Sequence, residues 1–416
     1  MEETYSILKN KLDKYNQSQL LNFYDTLDED KKMKLLSQIE KIDFEQMNEL
    51  YRKTQEKIEF GNDKIEPISY VEKDKMNKTE IEEYDRLGSN IIKSGKLAVV
   101  TMAGGQGTRL GHKGPKGTFK VSVNGQEKYL FQIIVESLQK AIEEYGVAIK
   151  WYIMVSNENE KDTKTFLKEH NYFGYPEEKV KFFVQGNLPL IDTKGQFIID
   201  KNKLIKEASD GNGSIYESLK RCKILDDMKQ SGIEWIFVGG VDNILLKIID
   251  PILTGITIKE NNIIASKSVV KKDPRERVGV FCKIDGKPGV IEYTELPEKM
   301  AVMRDEKGEL IYGEVNILSH LYSIKALEQL ADVKLPYHVA FKKANFLDEN
   351  EKFVEVSEPN AYKFESFIFD AFKNYEDMSI LRVKREDEFA PIKNATGSDS
   401  PETAIKLYED FQIRNK

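Results

Sequence analysis

Apolar side chains recur at helical spacing through roughly the first 95 residues of the chain. The positions that follow this spacing are Leu20, Phe23, Tyr24 and Leu27, then Met33, Leu36 and Ile39, then Phe44, Met47 and Tyr51. Residues at i, i+3, i+4 and i+7 share one face of an α-helix, and the charged residues between them form the solvated face. The pattern predicts a helical N-terminal region.

The pattern changes at Lys96, where short apolar runs begin to alternate with amphipathic segments. The runs are KLAVVTMA, KWYIMVS, KVKFFVQG and EWIFVGGVDN, and the segments between them include LFQIIVESLQKAIEEYG, DTKTFLKEHNYFG and a helix from about Tyr216 to Lys229. Continuous apolar strands separated by helices predict a mostly parallel sheet covered on both faces, which is an α/β fold. Asp285-Gly286 between two alternating runs predicts a hairpin, and KNATGSDSPETA predicts a polar loop before a short final helix.

Composition limits the classes of function. The chain has 416 residues, of which 40% are hydrophobic and 32% charged, so we expect a globular protein with more than one domain. Its net charge of −7 disfavours nucleic-acid binding. No apolar run reaches the ~20 residues of a membrane span, and the charged N-terminus does not resemble a signal peptide. Cys222 and Cys282 cannot build a disulfide framework, so we expect a cytoplasmic protein without membrane partners.

The glycine-rich stretch VVTMAGGQGTRLGHKGPKGTFKV holds the candidate chemistry. A glycine turn after a strand lets backbone N–H groups approach phosphate oxygens. The dinucleotide pattern G-x-G-x-x-G fails because Leu110 occupies the third glycine position, and the P-loop pattern fails because Gly117 follows Lys116. The remaining pattern, G-G-x-G-T-R-L-G followed by Pro-Lys, is the nucleotide-binding signature of sugar nucleotidyltransferases.

Most of the chain resembles the eukaryotic-type UDP-N-acetylhexosamine pyrophosphorylases of the UDP-sugar pyrophosphorylase superfamily. Besides the glycine loop, the blocks that carry the resemblance are LLNFYDTLDEDKKMKLLSQIEKIDFEQMNELY, WYIMVS, FLKEHNYFG, KVKFFVQGNLPLID, ASDGNGSIYESL, GVDNILLKIIDP, VIEYTEL, KFESFIFDAF and REDEFAPIKNA. The resemblance implies a Rossmann-like, GT-A-like mixed sheet, mostly parallel, with an N-terminal helical segment and a short C-terminal region. It implies in-line transfer of uridylyl from UTP to N-acetylglucosamine 1-phosphate, reversibly, with Mg²⁺ and release of pyrophosphate.

The expected domains are residues 1–95, helical; 96–345, the catalytic domain; and 346–416, a segment that closes the active site. Longer relatives continue past PIKNA into a sizeable C-terminal region, whereas this chain ends about twenty residues later, and we expect a monomer. The family's N-A-G-N-I is here YGEVNIL, which keeps Asn316 and changes its approach. This change bears on the choice of sugar.

The resemblance also assigns the nucleotide site. It places UTP against the loop residues Met102, Ala103, Gly104, Gly105, Gly107 and Thr108, together with Gln185, Gly211, Asp242 and Lys363. Gln185 offers both a donor and an acceptor to a uracil edge. Arg109 and Lys116 are the cations expected to meet the β- and γ-phosphates as pyrophosphate leaves. Gly211 and Asn212 alone are equally typical of a turn that opens a helix.

Asp242 ends the apolar strand IFVGGVDN. A carboxylate at the carboxyl end of a strand can hold Mg²⁺, and it can equally cap a following helix. The pattern alone leaves both interpretations open, and the resemblance favours the metal. Asn243 is either a supporting residue or a cap.

The sugar site rests on the resemblance. It implies that the sugar contacts Asn212, Gly279, Glu292, Tyr293, Asn316 and Lys393, with Lys393 also acting on phosphate. His112, His170, His320 and His338 lack metal-ligand spacing, so core or surface roles are expected for them.

Other functions are weighed against this hypothesis. A UDP-glucose or broad UDP-sugar pyrophosphorylase differs from the favoured family where Arg109 stands and after VQG. An NAD-dependent oxidoreductase needs a third glycine and an acidic residue closing the second strand, and KWYIMVSNEN has none directly at its end. A binding adaptor with an inactive enzyme fold is expected to have lost Asp242 or Lys116, and both are present.

Overall fold

The structure is a computed structural model that describes residues 2–56 and 64–415. Its α-helices are α1 (Glu2–Lys14), α2 (Glu29–Lys41), α3 (Phe44–Gln55), α4 (Lys78–Lys93), α5 (Leu130–Tyr145), α6 (Glu160–Glu169), α7 (Ile215–Arg221), α8 (Ile224–Gln230), α9 (Pro251–Lys259), α10 (Glu298–Ala301), α11 (Ile324–Leu330), α12 (Arg385–Glu388) and α13 (Pro401–Arg414).

The strands follow the same chain order. They are β1 (Ile65–Pro67), β2 (Val71–Glu72), β3 (Leu97–Met102), β4 (Lys120–Val123), β5 (Gln126–Tyr129), β6 (Lys150–Val155), β7 (Val180–Val184), β8 (Asn187–Pro189), β9 (Ile191–Asp192), β10 (Glu207–Ser209), β11 (Trp235–Gly240), β12 (Ile264–Val270), β13 (Val280–Ile284), β14 (Lys287–Ile291), β15 (Glu314–Ser323), β16 (His338–Lys342), β17 (Phe346–Leu347), β18 (Phe353–Val354), β19 (Ala361–Glu365) and β20 (Ser379–Arg382).

The chain forms two compact units. Unit 1 takes the described part of Met1–Gly61 with Gly186–Ser214 and Leu335–Ile368, and unit 2 takes the described part of Asn62–Gln185 with Ile215–Lys334 and Phe369–Lys416. Each unit is therefore assembled from three separate stretches of chain. No helix in the described residues is long and apolar enough to cross a membrane.

Unit 1 packs helices α1 to α3 onto short strands. Asp28 and Asp43 cap α2 and α3 by accepting hydrogen bonds from the N–H groups of Lys31 and Gln46. The apolar faces of the helices are buried together with Phe197, Ile199 and Phe364. The helical character predicted for residues 1–95 is thus confirmed for these three helices, and also for α4.

The N-terminal prediction is wrong in detail. Ser18–Leu21 and Tyr24–Thr26 are 3₁₀ turns instead of an α-helix. Leu20, Phe23, Tyr24 and Leu27 are nonetheless buried, because the turns direct them into the same core. Met33 was predicted to face the core, but it is 51% exposed.

A second correction concerns residues 64–72, which were included in the helical region. They form β1, which pairs with β13, and β2, which pairs with β20. Pro67 and the β-branched residues nearby suit short edge strands better than a helix. The prediction for residues 57–63 lies outside the described residues.

The main sheet of unit 2 is mixed and mostly parallel, as predicted. Its order is β2-β20-β12-β15-β11-β3-β6-β7, and β13 with β14 and β1 extends it beside β15. β11, β3, β6 and β7 run parallel, and β15 is antiparallel to β11 and β12. The predicted hairpin is confirmed, with Asp285 and Gly286 both at positive φ between β13 and β14.

Two predicted helices of unit 2 need correction. The segment around Tyr216 to Lys229 is two helices, α7 and α8, because Lys223 adopts a left-handed conformation between them. The final helix, α13, begins at Pro401, inside the stretch predicted as loop. Ser400 caps it by accepting a hydrogen bond from the N–H of Thr403.

Helices α4 and α9 approach so closely that only glycine fits at their contact. A Cβ on Gly88 would lie 2.0 Å from the carbonyl oxygen of Pro251, and one on Gly255 would lie 1.9 Å from that of Tyr84. This contact fixes the start of α9, where Asp250 accepts a hydrogen bond from the N–H of Ile252.

Candidate active site

The glycine loop and Asp242 leave neighbouring parallel strands at the same edge of the sheet. Met102 at the end of β3 pairs with Gly240 at the end of β11, and the N–H of Val241 donates to the carbonyl of Met102 (3.2 Å). Ligands bind outside the carboxyl ends of strands in open α/β sheets. The fold therefore brings the two main sequence-predicted features together.

Two carbonyl groups of the glycine loop accept hydrogen bonds. The amide of Asn159 donates to the carbonyl of Ala103 (2.8 Å), and the N–H of Lys116 donates to the carbonyl of Gly105 (3.0 Å). Among the described residues, no acceptor takes the N–H groups of Gly104 and Gly105. Backbone donors held open in this way form an anion cradle.

The glycines of the loop differ in what surrounds them. A Cβ on Gly104 would lie 2.7 Å from Oε1 of Gln185, and one on Gly107 would lie 2.7 Å from the side chain of His112. A Cβ on Gly105 would meet nothing within 4 Å. The buried Gln185 amide thus lies against the loop at Gly104, and Gly105 faces open space.

Lys116 and Asp242 form an ion pair at the carboxyl edge of the sheet, where Asp242 follows β11. The Nζ of Lys116 lies 3.1 Å from Oδ2 of Asp242, and the two side chains are 17% and 24% exposed. Asp242 caps no helix, because the next helix, α9, begins at Pro251 with Asp250 as its N-cap. The structure therefore removes the helix-cap interpretation of Asp242.

The segment that carries Lys393 is fastened to the end of β11. The N–H of Ile392 donates to the carbonyl of Asp242 (2.9 Å). The side chain of Asn243 donates to the carbonyl of Glu388 (2.8 Å) and accepts from the N–H of Ala390 (2.8 Å). Asn243 is thus a supporting residue that joins two chain segments. Lys393 itself is exposed.

Three of the predicted sugar residues meet beside β15. The N–H of Asn316 donates to the carbonyl of Gly279 (2.9 Å), and a Cβ on Gly279 would lie 2.9 Å from Oε1 of Glu292. The amide oxygen of Asn316 accepts from the N–H of Leu318 (3.0 Å). Tyr293, next to Glu292, is 45% exposed. The carboxylate of Glu292 thus lies beside Gly279, where no side chain fills the adjacent space.

The other predicted residues of unit 2 lie in the glycine loop. Met102 and Ala103 are buried at its start, whereas Thr108 and Arg109 are exposed in one 3₁₀ turn. The turn ends at Gly111, whose φ of 70° favours glycine.

Unit 1 contains the remaining three predicted site residues, which are Gly211, Asn212 and Lys363. Gly211 has a φ of +93°, and a Cβ there would lie 2.2 Å from the carbonyl oxygen of Ser366. The side chain of Asn212 accepts from the N–H of Ile368 (2.9 Å). The Nζ of Lys363 donates to Glu365 (2.7 Å). Gly211 and Asn212 do lie at a turn, followed by α7.

Sequence reasoning missed two residues that hold the glycine loop. Asn159 is fully buried and also accepts from the N–H of Ser156 (2.9 Å). His112, expected to be a core or surface residue, packs against Gly107 and places Nε2 2.7 Å from Oγ1 of Thr118. Asparagine just after a buried strand was the available signal for Asn159.

The donor chemistry of Asp242 fits a magnesium ion. The described residues contain no group of three or more His, Cys, Asp or Glu side chains that could hold a metal ion. Mg²⁺ commonly takes one or two carboxylates, several waters and substrate phosphates, so one carboxylate beside an anion cradle meets that requirement.

An anion cradle that faces a carboxylate and a lysine across the edge of a mixed α/β sheet is the arrangement of a nucleotidyltransferase. A family model described as UTP--glucose-1-phosphate uridylyltransferase matches residues 42–399.

Proteins similar to this chain show which family of nucleotidyltransferases it belongs to. The chain is 36% identical over 415 residues to the UDP-N-acetylglucosamine pyrophosphorylase of Saccharomyces cerevisiae, covering 94% of this chain and 87% of that protein. It is 35% identical over 428 residues to UDP-N-acetylglucosamine diphosphorylase 2 of Arabidopsis thaliana, covering 97% and 83%. The crystal structure of the Trypanosoma brucei uridine diphosphate N-acetylglucosamine pyrophosphorylase with an inhibitor matches with a TM-score of 0.81 at 29% identity, covering 98% of this chain and 84% of that one. The chain belongs to the UDP-N-acetylhexosamine pyrophosphorylase family of the UDP-sugar pyrophosphorylase superfamily, and the fold predicted from its sequence is confirmed.

Proposed function

We propose that this enzyme transfers a uridylyl group from UTP to N-acetylglucosamine 1-phosphate, reversibly, releasing pyrophosphate. The observation that carries the proposal is the Lys116–Asp242 pair beside the open N–H groups of Gly104 and Gly105. The yeast and Arabidopsis relatives are named for UDP-N-acetylglucosamine, which supports this sugar.

The reaction needs charge neutralisation and alignment rather than a side-chain nucleophile. An oxygen of the sugar phosphate is already ionised, and it attacks the α-phosphorus of UTP opposite the departing pyrophosphate. Both reactants are polyanions, so their approach is opposed by electrostatic repulsion. Fixed cations and backbone dipoles offset this repulsion without reorganising during the reaction.

The cationic residues contact different parts of the two substrates in this proposal. Lys116 and the exposed Arg109 meet the β- and γ-phosphates, and Lys393 meets the phosphate of the sugar. Asp242 is the protein ligand of Mg²⁺. When bound, the ion supplies charge that offsets the crowding of anions around the α-phosphate. Lys116 exchanges its contact with Asp242 for one with UTP.

Base and sugar are read by different groups. Gln185, beside Gly104, hydrogen-bonds the uracil edge. Glu292 accepts hydrogen bonds from sugar hydroxyls, and Gly279, Tyr293 and Asn316 line the N-acetylhexosamine. Roles for Gly211, Asn212 and Lys363 stay predictions from the family resemblance.

The reaction itself is tested by pyrophosphate release with UTP, Mg²⁺ and a panel of sugar 1-phosphates. We expect the highest kcat/KM with N-acetylglucosamine 1-phosphate, and assays without UTP serve as the control. Equal rates with glucose 1-phosphate would instead identify a broad UDP-sugar pyrophosphorylase. A protein that releases no pyrophosphate with any sugar phosphate would contradict the proposal.

Base selectivity gives a second prediction. Uracil and cytosine invert donor and acceptor on one edge, so a site that pairs with uracil leaves groups unpaired with cytosine. We expect kcat/KM for UTP to exceed that for CTP by at least about a hundredfold. Gln185→Glu removes the donor and should shrink this ratio.

The matched control for Gln185 is Gln139, a half-buried glutamine whose amide donates to the carbonyl of Phe173 (3.0 Å). Gln139→Glu should leave the UTP/CTP ratio unchanged. Comparable rates for the two nucleotides with the wild-type enzyme would show that the base is not read at this site.

A further inference from the structure

Lys267 is a lysine buried completely within the central sheet of unit 2. It lies in β12 at an irregularity of the pairing with β15, where Ser266 pairs with His320 but Ser268 pairs with Asn316. Such irregularities are frequent beside active sites. Here the Nζ of Lys267 lies 2.7 Å from Oδ2 of Asp250, contacts Oε2 of Glu388, and lies 3.3 Å from the carbonyl of Lys247.

The two carboxylate partners belong to the two chain segments that meet at Asp242. Asp250 ends the segment that starts at Asp242 and leads into α9. Glu388 begins the segment that leads to Lys393, and Asn243 holds the carbonyl of Glu388. The two segments are joined again by the hydrogen bond from Ile392 to the carbonyl of Asp242. One ammonium group thus contacts a carboxylate on each segment.

Stability alone does not require this arrangement. Burial of Lys267 would lower its pKa, but the carboxylates of Asp250 and Glu388 outweigh burial and raise the pKa, so the charge persists. Burial would likewise raise the pKa of Asp250, and the neighbouring lysines lower it. Replacing such buried ion pairs with apolar residues is often neutral or stabilising, and their best-attested use is to fix one register.

We propose that Lys267 is a positioning residue of the transferase site: through Asp250 and Glu388 it fixes the Lys393 segment relative to Asp242. The inference rests on the proposed function, because it assumes that Lys393 and Asp242 act on the substrates. Lys267 touches neither substrate. It acts by holding the backbone that carries Lys393.

The test is a double-mutant cycle between Glu388→Gln and Lys393→Ala. Lys267→Met would leave two buried carboxylates without their cation and can prevent folding, so the near-isosteric Glu388→Gln carries the test, with Lys267→Arg as the variant that keeps the charge. We expect Glu388→Gln to lower kcat about tenfold to a hundredfold, the scale for a displaced catalytic group. The Kd of UTP, measured by direct titration, should change little, since UTP lies on the glycine loop.

In the Lys393→Ala background, Glu388→Gln should lower kcat by no more than about twofold further, because the group it positions is gone. Lys267→Arg should retain more activity than Glu388→Gln. The matched control is Asp227→Asn, which weakens a cluster with Lys150 (3.3 Å), Lys181 and Tyr152 at the amino ends of β6 and β7. It should leave kcat unchanged.

Equal losses from Glu388→Gln in both backgrounds would overturn the inference, as would an equal loss of kcat in Asp227→Asn. A wild-type enzyme that releases no pyrophosphate would overturn the proposed function, and this inference with it.

Discussion

Asp242→Asn is expected to lower kcat by about two to three orders of magnitude while the protein remains folded. The amide keeps the shape of the carboxylate but lacks the charge that, in the proposed function, holds Mg²⁺. The hydrogen bond from Ile392 reaches the backbone carbonyl of Asp242, so the side-chain change leaves it in place. The measurement is kcat at rising Mg²⁺ concentration, with thermal unfolding of both proteins.

The control for Asp242 is again Asp227→Asn, because Asp227 is 20% exposed and pairs with lysine as Asp242 does. It should keep normal kcat and normal dependence on Mg²⁺. Near-normal turnover of Asp242→Asn would contradict the assignment of Asp242 as a ligand of Mg²⁺. Since no helix begins at Asp242, its side chain would then be left with its contact to Lys116 as the one ion pair seen in the described residues.

Lys116→Ala is expected to lower kcat and to raise KM for UTP, with a loss of about 2–4 kcal/mol in transition-state stabilisation. The lysine follows Pro115, whose fixed φ limits movement of the loop. A contact that strengthens as charge grows on the leaving pyrophosphate affects both constants. If Lys116 contacts the leaving pyrophosphate as proposed, microscopic reversibility requires it to bind pyrophosphate in the reverse reaction, so the affinity for pyrophosphate should fall too.

Lys128→Ala is the matched control for Lys116. Lys128 is 18% exposed and pairs with Glu136 at 2.8 Å, close to the burial and the geometry of the Lys116 pair. It should leave the kinetics in both directions unchanged. An effect of Lys116→Ala confined to KM for the sugar phosphate would assign this lysine to the other substrate.

Asp242 and Lys116 are also expected to be coupled. Each is the other's ion partner, so removing one leaves the second charge partly buried without it. The losses in the double variant Lys116→Ala/Asp242→Asn should therefore be smaller than the product of the single losses.

The sequence predicts the parallel strands β3, β6 and β11 well because these strands are buried on both faces. β3 is apolar at nearly every position and entirely buried, so its run is visible without knowledge of its neighbours. The glycine loop is equally local, because its pattern and the strand before it are adjacent in the chain. The ion pair between Lys116 and Asp242 was not predicted, because the two residues are 126 positions apart in the chain and meet only in the folded sheet.

Other features depend on partners that the local pattern does not contain. The 3₁₀ turns near Leu20 arise where Gln17 is drawn to the backbone of Gly195 and Phe197. The cluster of Lys267 with Asp250 and Glu388 joins residues distant in the chain. A lysine between two serines in the strand IASKSVV, whose other residues are apolar, was its one local signal. Asn243 could be identified as a support only after the segment at Glu388 was placed.

Unit 1 has a consequence for how the protein is made. Its helices α1 to α3 leave the ribosome before the rest of the unit, yet the apolar surfaces they bury include Phe197, from the second stretch of the unit, and Phe364, from the third. Because synthesis adds only about 5–20 residues per second, the apolar faces of those helices stay exposed until Phe197 and Phe364 have emerged. Nascent chains shorter than residue 364 are therefore expected to be bound by chaperones and to be digested easily by protease. Resistance to protease in unit 1 should appear only once Phe364 has emerged.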